Sequence, residues 1–184
     1  MAVKKLFGQH TSSAKAAGRG LNTRIQAMGD GAEWIASQAQ QMLEPERFLV
    51  DFFHVCQYLG AAESSCAENS RWLHTQKNRL KNNRADKVLH DLKEHLEPET
   101  VADEQAPVRK AHRYIKNRLQ QLDYKGAIEE HLPIGTVAIE SAHKHVIQQR
   151  LKIPGASWKL NNAAALAAAR TIRANNMWDQ YWNN

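Results

Sequence analysis

Cysteine is scarce in this chain, and what little there is excludes two kinds of protein. Cys56 and Cys66 are the only thiols in 184 residues. They stand too far apart for a CxxC pair, and no second pair completes a tetrahedral site, so structural zinc and a disulfide framework are not expected. Long apolar runs are missing as well. The longest, Ala163 to Ala169, is mostly alanine and falls far short of the roughly 20 residues a membrane-spanning helix needs. Met1 to Phe7 carries two lysines, but no apolar stretch of the secretory type follows. The expectation is a cytoplasmic protein without a membrane partner, its thiols reduced. No internal repeat is visible. Carboxylates are absent from residues 1 to 29 and again between Arg71 and Arg84.

Basic charge is therefore segregated. Lys and Arg total 25 against 19 Asp and Glu, a net charge of +6 with histidine neutral, which suits a polyanionic partner. The stretch RWLHTQKNRLKNNR supplies Arg71, Lys77, Arg79, Lys81 and Arg84 as candidate nucleic-acid contacts. Lys144, Arg150 and Lys152 extend the set. The alternative is a solvated helix face. With 42% hydrophobic residues, the length allows one core and a small helical annex.

Periodicity divides the chain. Thr11 to Ala17 reads as a helix closed by Gly18 and Gly20, and Arg24 to Met28 as a strand entering the turn Gly29-Asp30-Gly31. Trp34, Ile35, Ala39 and Leu43 recur at helical spacing until Glu44-Pro45. Arg47 to Phe53 is again β-prone. Strand, helix, strand is a βαβ unit, which places functional groups at the carboxyl ends of parallel strands. Beyond it the composition turns helical, over His54 to Ala62, Glu68 to Asn83, Ala85 to Leu96 and Pro107 to Leu122. Leu96 to Pro107, with two prolines and four carboxylates, reads as a loop or poorly ordered linker. Thr136 is placed to cap a helix from Val137 to Leu151 that ends before Pro154 and Gly155. A last helix, Asn161 to Asn175, precedes Trp178 and Trp182, an i, i+4 pair expected to anchor the terminus in the core.

Three acidic residues stand where chemistry is plausible: Asp30 after one strand, Asp51 near the end of the other, and Glu140 early on a later helix. Two-metal phosphoryl transfer needs carboxylates converging from separate elements, because two hard cations about 3.5–4 Å apart require bridging and flanking oxygens. Each residue also has a plainer reading. Asp30 serves equally as a turn aspartate, Asp51 as the N-cap of the helix holding His54, and Glu140 as a partner for Lys144.

The surrounding residues resemble a known family. GDGAEWI at 29–35, DFFHVCQYL at 51–59 and LPIGTVAIESAHKHV at 132–146 are similar to bacterial DDE-type insertion-sequence transposases of the ISKra type, relatives of the Mutator-like group. RLKIPGASW at 150–158, Arg170 and the Trp178–Trp182 pair resemble that family's carboxyl-terminal segment. The resemblance implies an α/β, predominantly helical fold: a partial ribonuclease-H-like core interrupted by an all-α insertion. Residues 1–55 would form the partial core with Asp30 and Asp51, 56–130 the insertion, and 131–184 the core helix with Glu140 and the terminal helices.

It implies further that Asp30 and Glu140 are catalytic and bind Mg²⁺, with Asp51 and His54 supporting them in an Asp-x-x-His signature. DNA would be the partner, in cleavage and transfer of strands, with self-association or association with a full-length relative expected. Two departures matter. Val137 stands where the family commonly has glycine before its glutamate. The first catalytic aspartate belongs upstream of Asp30, and residues 1 to 29 contain no carboxylate. The chain therefore reads as a carboxyl-terminal fragment, inactive alone, or as a non-catalytic nucleic-acid-binding or protein-interaction remnant. A triad of Asp30, Asp51 and Glu140 is the competing arrangement, and a decayed frame that does not fold stably is a third possibility.

Overall fold

Asp30 and Asp51 end two short strands, and the architecture is easiest to follow from those strands outward. The computed structural model describes residues 18–66 and 71–183, so the helix expected at Thr11 to Ala17 lies outside the described residues. Strand β1 (Gln26–Gly29) is followed by helix α1 (Glu33–Leu43) and strand β2 (Arg47–Val50). The strands run parallel, with Gln26 opposite Arg47 and Gly29 opposite Val50. Glu44 closes α1 in the left-handed region at φ 46°, and Pro45 prevents its continuation.

The second strand stops earlier than its apolar run suggests. Phe52 and Phe53 open helix α2 (Phe52–Cys66) because Asp51 caps its first turn. Helices α3 (Trp72–Lys81), α4 (Ala85–Lys93) and α5 (Pro107–Lys116) follow. The expected start of α3 at Glu68 lies outside the described residues. A further short helix, α6 (Tyr124–Glu129), has no counterpart in the periodicity. It begins at Asp123, whose side chain accepts a hydrogen bond from the Gly126 N–H at 3.0 Å.

The fold is thus mixed α/β and mostly helical, with a two-stranded parallel sheet among the described residues. Its core joins Leu49 and Val50 of β2 to Val55 and Leu59 of α2, Leu80 of α3, Val88 and Leu92 of α4, and Val108 and Ile115 of α5. Tyr124 of α6 is fully buried in the same cluster.

The segment from Leu96 to Pro107 is fastened rather than loose. The Glu97 carboxylate accepts hydrogen bonds from the backbone N–H groups of Val108 and Arg109 at 2.9 and 2.8 Å, capping α5 from outside the helix. Arg109 donates in turn to the carbonyls of Pro98 and Val101. A 3₁₀ turn at Asp103–Gln105 completes the segment, and Asp103 pairs with Arg113 at 2.6 Å. Four carboxylates and two prolines suggested disorder, but two of those carboxylates have partners on α5.

The chain divides into two compact units, the first ending at Gly135 and the second starting at Thr136. In the second, α7 (Val137–Ala142) continues through a π-helical stretch, His143–Gln148, into Gln149–Leu151. Arg170 of α8 (Leu160–Ala174) donates to the Val146 and His145 carbonyls of that stretch, both at 2.6 Å. Thr136 holds the N-cap position without a side-chain capping bond. Trp178 and Trp182 of α9 (Trp178–Trp182) meet edge to face, with centroids 5.6 Å apart. They do not anchor the terminus in a core: both are exposed. The i, i+4 spacing brings the rings together, but no described side chain of this unit is buried, so there is no core for them to enter.

Candidate functional site

The register places two carboxylates side by side. Gly29 pairs with Val50, so Asp30 and Asp51 emerge together from the carboxyl ends of adjacent parallel strands, and the Asp51 N–H donates to the Gly29 carbonyl at 2.7 Å. Their local duties are those of turn and cap. Asp30 is exposed, and its Oδ1 accepts from the Ala32 N–H at 3.0 Å. Asp51 is buried, and its Oδ1 accepts from the N–H groups of Phe53 and His54 at 2.7 and 3.1 Å. Those are the second and third positions of α2, where an N-cap side chain finds its donors.

Helix α5 then reaches the same turn. The Tyr114 hydroxyl donates to the Asp30 carbonyl at 2.5 Å, and Arg118 Nε donates to the Gly31 carbonyl at 2.9 Å. The Arg118 guanidinium lies over the Tyr114 ring at 4.1 Å. Tyr58 stacks on the Tyr114 ring, centroids 4.1 Å apart and planes 17° apart, while His54 stands edge-on to both. Burial pushes the Tyr114 hydroxyl up to about 12, so it remains a donor at neutral pH. Tyr124 performs the matching service on the second strand, donating to the Val50 carbonyl at 2.9 Å.

None of these four residues, Tyr58, Tyr114, Arg118 and Tyr124, was singled out from sequence. Tyr114 lies on α5 and Arg118 in the turn just past its end at Lys116, but the turn they hold lies more than 80 positions away, and spacing carries no sign of it.

The loop before Glu140 is tied to the start of α2. The Phe52 N–H donates to the Ile134 carbonyl at 2.9 Å. Gly135 lies so close to Phe53 that a Cβ would sit 2.5 Å from the ring. Glu140 is exposed on α7 in the second unit, where Lys144, Arg150 and Lys152 are also exposed.

Among the basic residues of the first unit, Arg71, Lys81 and Arg84 are exposed and Lys77 is half-buried. The Lys81 ammonium stands 5.2 Å from the Phe52 ring centroid. Arg79 is committed inside the fold, pairing with Asp91 and donating to Gln76 Oε1 at 3.2 Å. The thiol of Cys56 is pushed up to about 11 by burial, which keeps it protonated and unreactive at neutral pH.

A hard divalent cation needs several oxygens converging on one point. Asp30 and Asp51 each give an oxygen to backbone N–H groups, and among the described residues no group of three or more His, Cys, Asp or Glu side chains could hold a metal ion. The residues present therefore do not fit a magnesium centre on their own. Among the described residues no helix is long and apolar enough to cross a membrane.

The profile of an uncharacterised protein family, UPF0236, matches residues 21–180. The chain belongs to this family. The UPF0236 match takes in the Gly-Asp-Gly turn, the Asp-x-x-His segment, the basic helix and Glu140. No curated protein and no solved structure matches the chain.

Proposed function

We propose that this protein has DDE-type transposase ancestry and acts on DNA by binding, with Asp30 and Glu140 corresponding to catalytic carboxylates of that family and Asp51 and His54 to its Asp-x-x-His signature. The observation that carries the reading is the emergence of Asp30 and Asp51, neighbours in register, from the carboxyl ends of two parallel strands. In α/β folds that end of the sheet is where functional groups collect. A ribonuclease-H-like core would use the βαβ unit in this way, with residues 56–130 as its helical insertion. Exposed Lys81 and Arg84 supply charge for phosphate contacts.

Strand cleavage by these residues alone is not part of the proposal. Magnesium would need oxygen donors beyond those the described residues assemble, and misaligned or missing ligands lower rates by orders of magnitude. The capping and turn duties of Asp51 and Asp30 favour binding without chemistry. Fluorescence anisotropy with labelled duplex DNA tests the binding: affinity is expected to fall steeply between 50 and 200 mM salt, as counterion release requires. Absent or salt-insensitive binding would overturn it. In a parallel nicking assay with Mg²⁺, no product is expected, and nicking abolished by Asp30→Ala would show that the centre is complete after all.

A further inference from the structure

An open groove of about 380 Å³ lies between α2 and α5, beside the residues that hold the Asp30 turn. Its aromatic element is Tyr58, half-buried and backed by Tyr114 in a nearly parallel stack. Because Tyr114 is itself anchored to the Asp30 carbonyl, the Tyr58 ring is held from behind and loses little freedom when another ring approaches. His54, edge-on to Tyr58, closes one side, and Ala61 lies exposed along the groove. Gln57 and Lys110 bring donors, and Glu104 and the Gln57 amide oxygen bring acceptors.

A supported aromatic ring bordered by both donors and acceptors suits a flat ligand whose edge also carries both. A nucleobase is such a ligand. In a duplex its faces are covered by stacking and its pairing edge by its complement, so only an unpaired base can use this groove. We propose that the groove binds an unpaired base of single-stranded DNA, stacked against Tyr58, with Gln57, Lys110 and Glu104 meeting its edge. The site rests on the reading of DNA as partner and adds a preference for single strands next to the Asp30 turn.

The test uses the full chain and fluorescein-labelled oligonucleotides, single-stranded and as duplexes of the same sequence, titrated at one salt concentration. Tyr58→Ala is expected to weaken single-strand binding about tenfold, the scale of one base–aromatic stack, with duplex binding unchanged. Tyr58→Phe, which keeps the ring, should stay within about twofold of the parent. Ala61→Trp fills the groove from an exposed position without removing any packing ring, so it guards against a folding defect in Tyr58→Ala. It should produce the same selective loss.

Single-strand affinity unchanged in both Tyr58→Ala and Ala61→Trp, or single-strand and duplex affinity lost in equal measure, would overturn the groove while leaving DNA binding intact. If the parent protein binds neither form, the DNA reading falls and the groove proposal falls with it.

Discussion

Gly31 bears the tightest steric constraint in the turn that presents Asp30. Its φ is +85°, and an added Cβ would lie 2.5 Å from Arg118 Nε and 2.7 Å from the Tyr114 hydroxyl. Two costs combine in Gly31→Ala: a left-handed backbone, worth about 1–2 kcal/mol, and overpacking, worth about 1–3 kcal/mol. A loss of roughly 2–5 kcal/mol is expected, seen as a lower urea midpoint with unchanged m. Gly60 supplies the contrast. It lies within α2, and a Cβ there meets nothing within 4 Å, so Gly60→Ala should stabilise by about 0.5–1 kcal/mol. Equal responses at the two positions would refute the idea that the α5 clamp sets the shape of the Asp30 turn. At this scale the sequence was legible as far as composition and neighbours reach. Gly-Asp-Gly signals a turn, and the capping alternative for Asp51 is the geometry found. The clamp from Tyr114 and Arg118 is not legible, because it depends on how α5 packs rather than on any local pattern.

Elements with long periodic stretches were legible in the same sense: α1, α3, α4 and α5 lie within the segments that spacing assigns, while β1 runs one residue past Met28 and α2 overruns His54 to Ala62 at both ends. Two kinds of boundary were not. Phe52 and Phe53 look like strand residues, yet a capping bond from one side chain commits them to helix. Helix α6 is too short for periodicity to reveal, and its only local sign is Asp123 at the cap. Ion pairs add ties between these elements to the apolar core that joins them. Arg47 binds Asp123 and Glu130 at 3.2 and 2.9 Å, tying β2 to both ends of α6. Arg79 with Asp91 ties α3 to α4.

The carboxyls of all three acids titrate below their ordinary range. For Asp123 the hydrogen bond from Asn83 leads, and for Glu130 the one from Arg47. Burial pushes Asp91 up, but hydrogen bonds from Gln76 and Arg79 outweigh it. A depressed folded-state pKa stabilises above the unfolded value, and that contribution is lost as pH falls through the lowered one. Burial holds His112 below the ordinary histidine range as well, so Tm is expected to decline slightly from pH 7 to about 5, as the unfolded imidazole gains its proton, and to fall more steeply below about pH 4, the ordinary carboxylate range. Asp91→Asn should lower Tm at pH 7 and make the acid decline shallower. A parent Tm that drops mainly between pH 7 and 5 would assign the effect to other groups.

The two units differ in what they bury, and their stabilities should differ accordingly. The first has a continuous core from β2 through α6, with Leu49, Leu59, Leu80, Leu92, Ile115 and Tyr124 all fully buried. Deep apolar burial couples its helices, so they can open only together. In the second unit no described side chain is buried, and Val137, Ile139, Leu160 and Trp182 are more than half exposed. What holds α8 to the π-helical stretch after α7 includes the two bonds from Arg170, each worth only about 0.5–1.5 kcal/mol net. Opening free energy follows burial, and segments with few buried apolar contacts exchange through local fluctuations well below the global value. Native-state hydrogen exchange should therefore find the amides of α2, α3 and α5 protected to the full unfolding free energy, with a single cooperative thermal transition. Amides of α7 and α8 should exchange sooner, and Arg170→Ala should speed those near Val146 while leaving α2 unchanged. Protection of α8 equal to that of α2 would show that the second unit is held by burial its own packing does not provide. Lack of any cooperative transition would instead favour the decayed frame whose product does not fold stably.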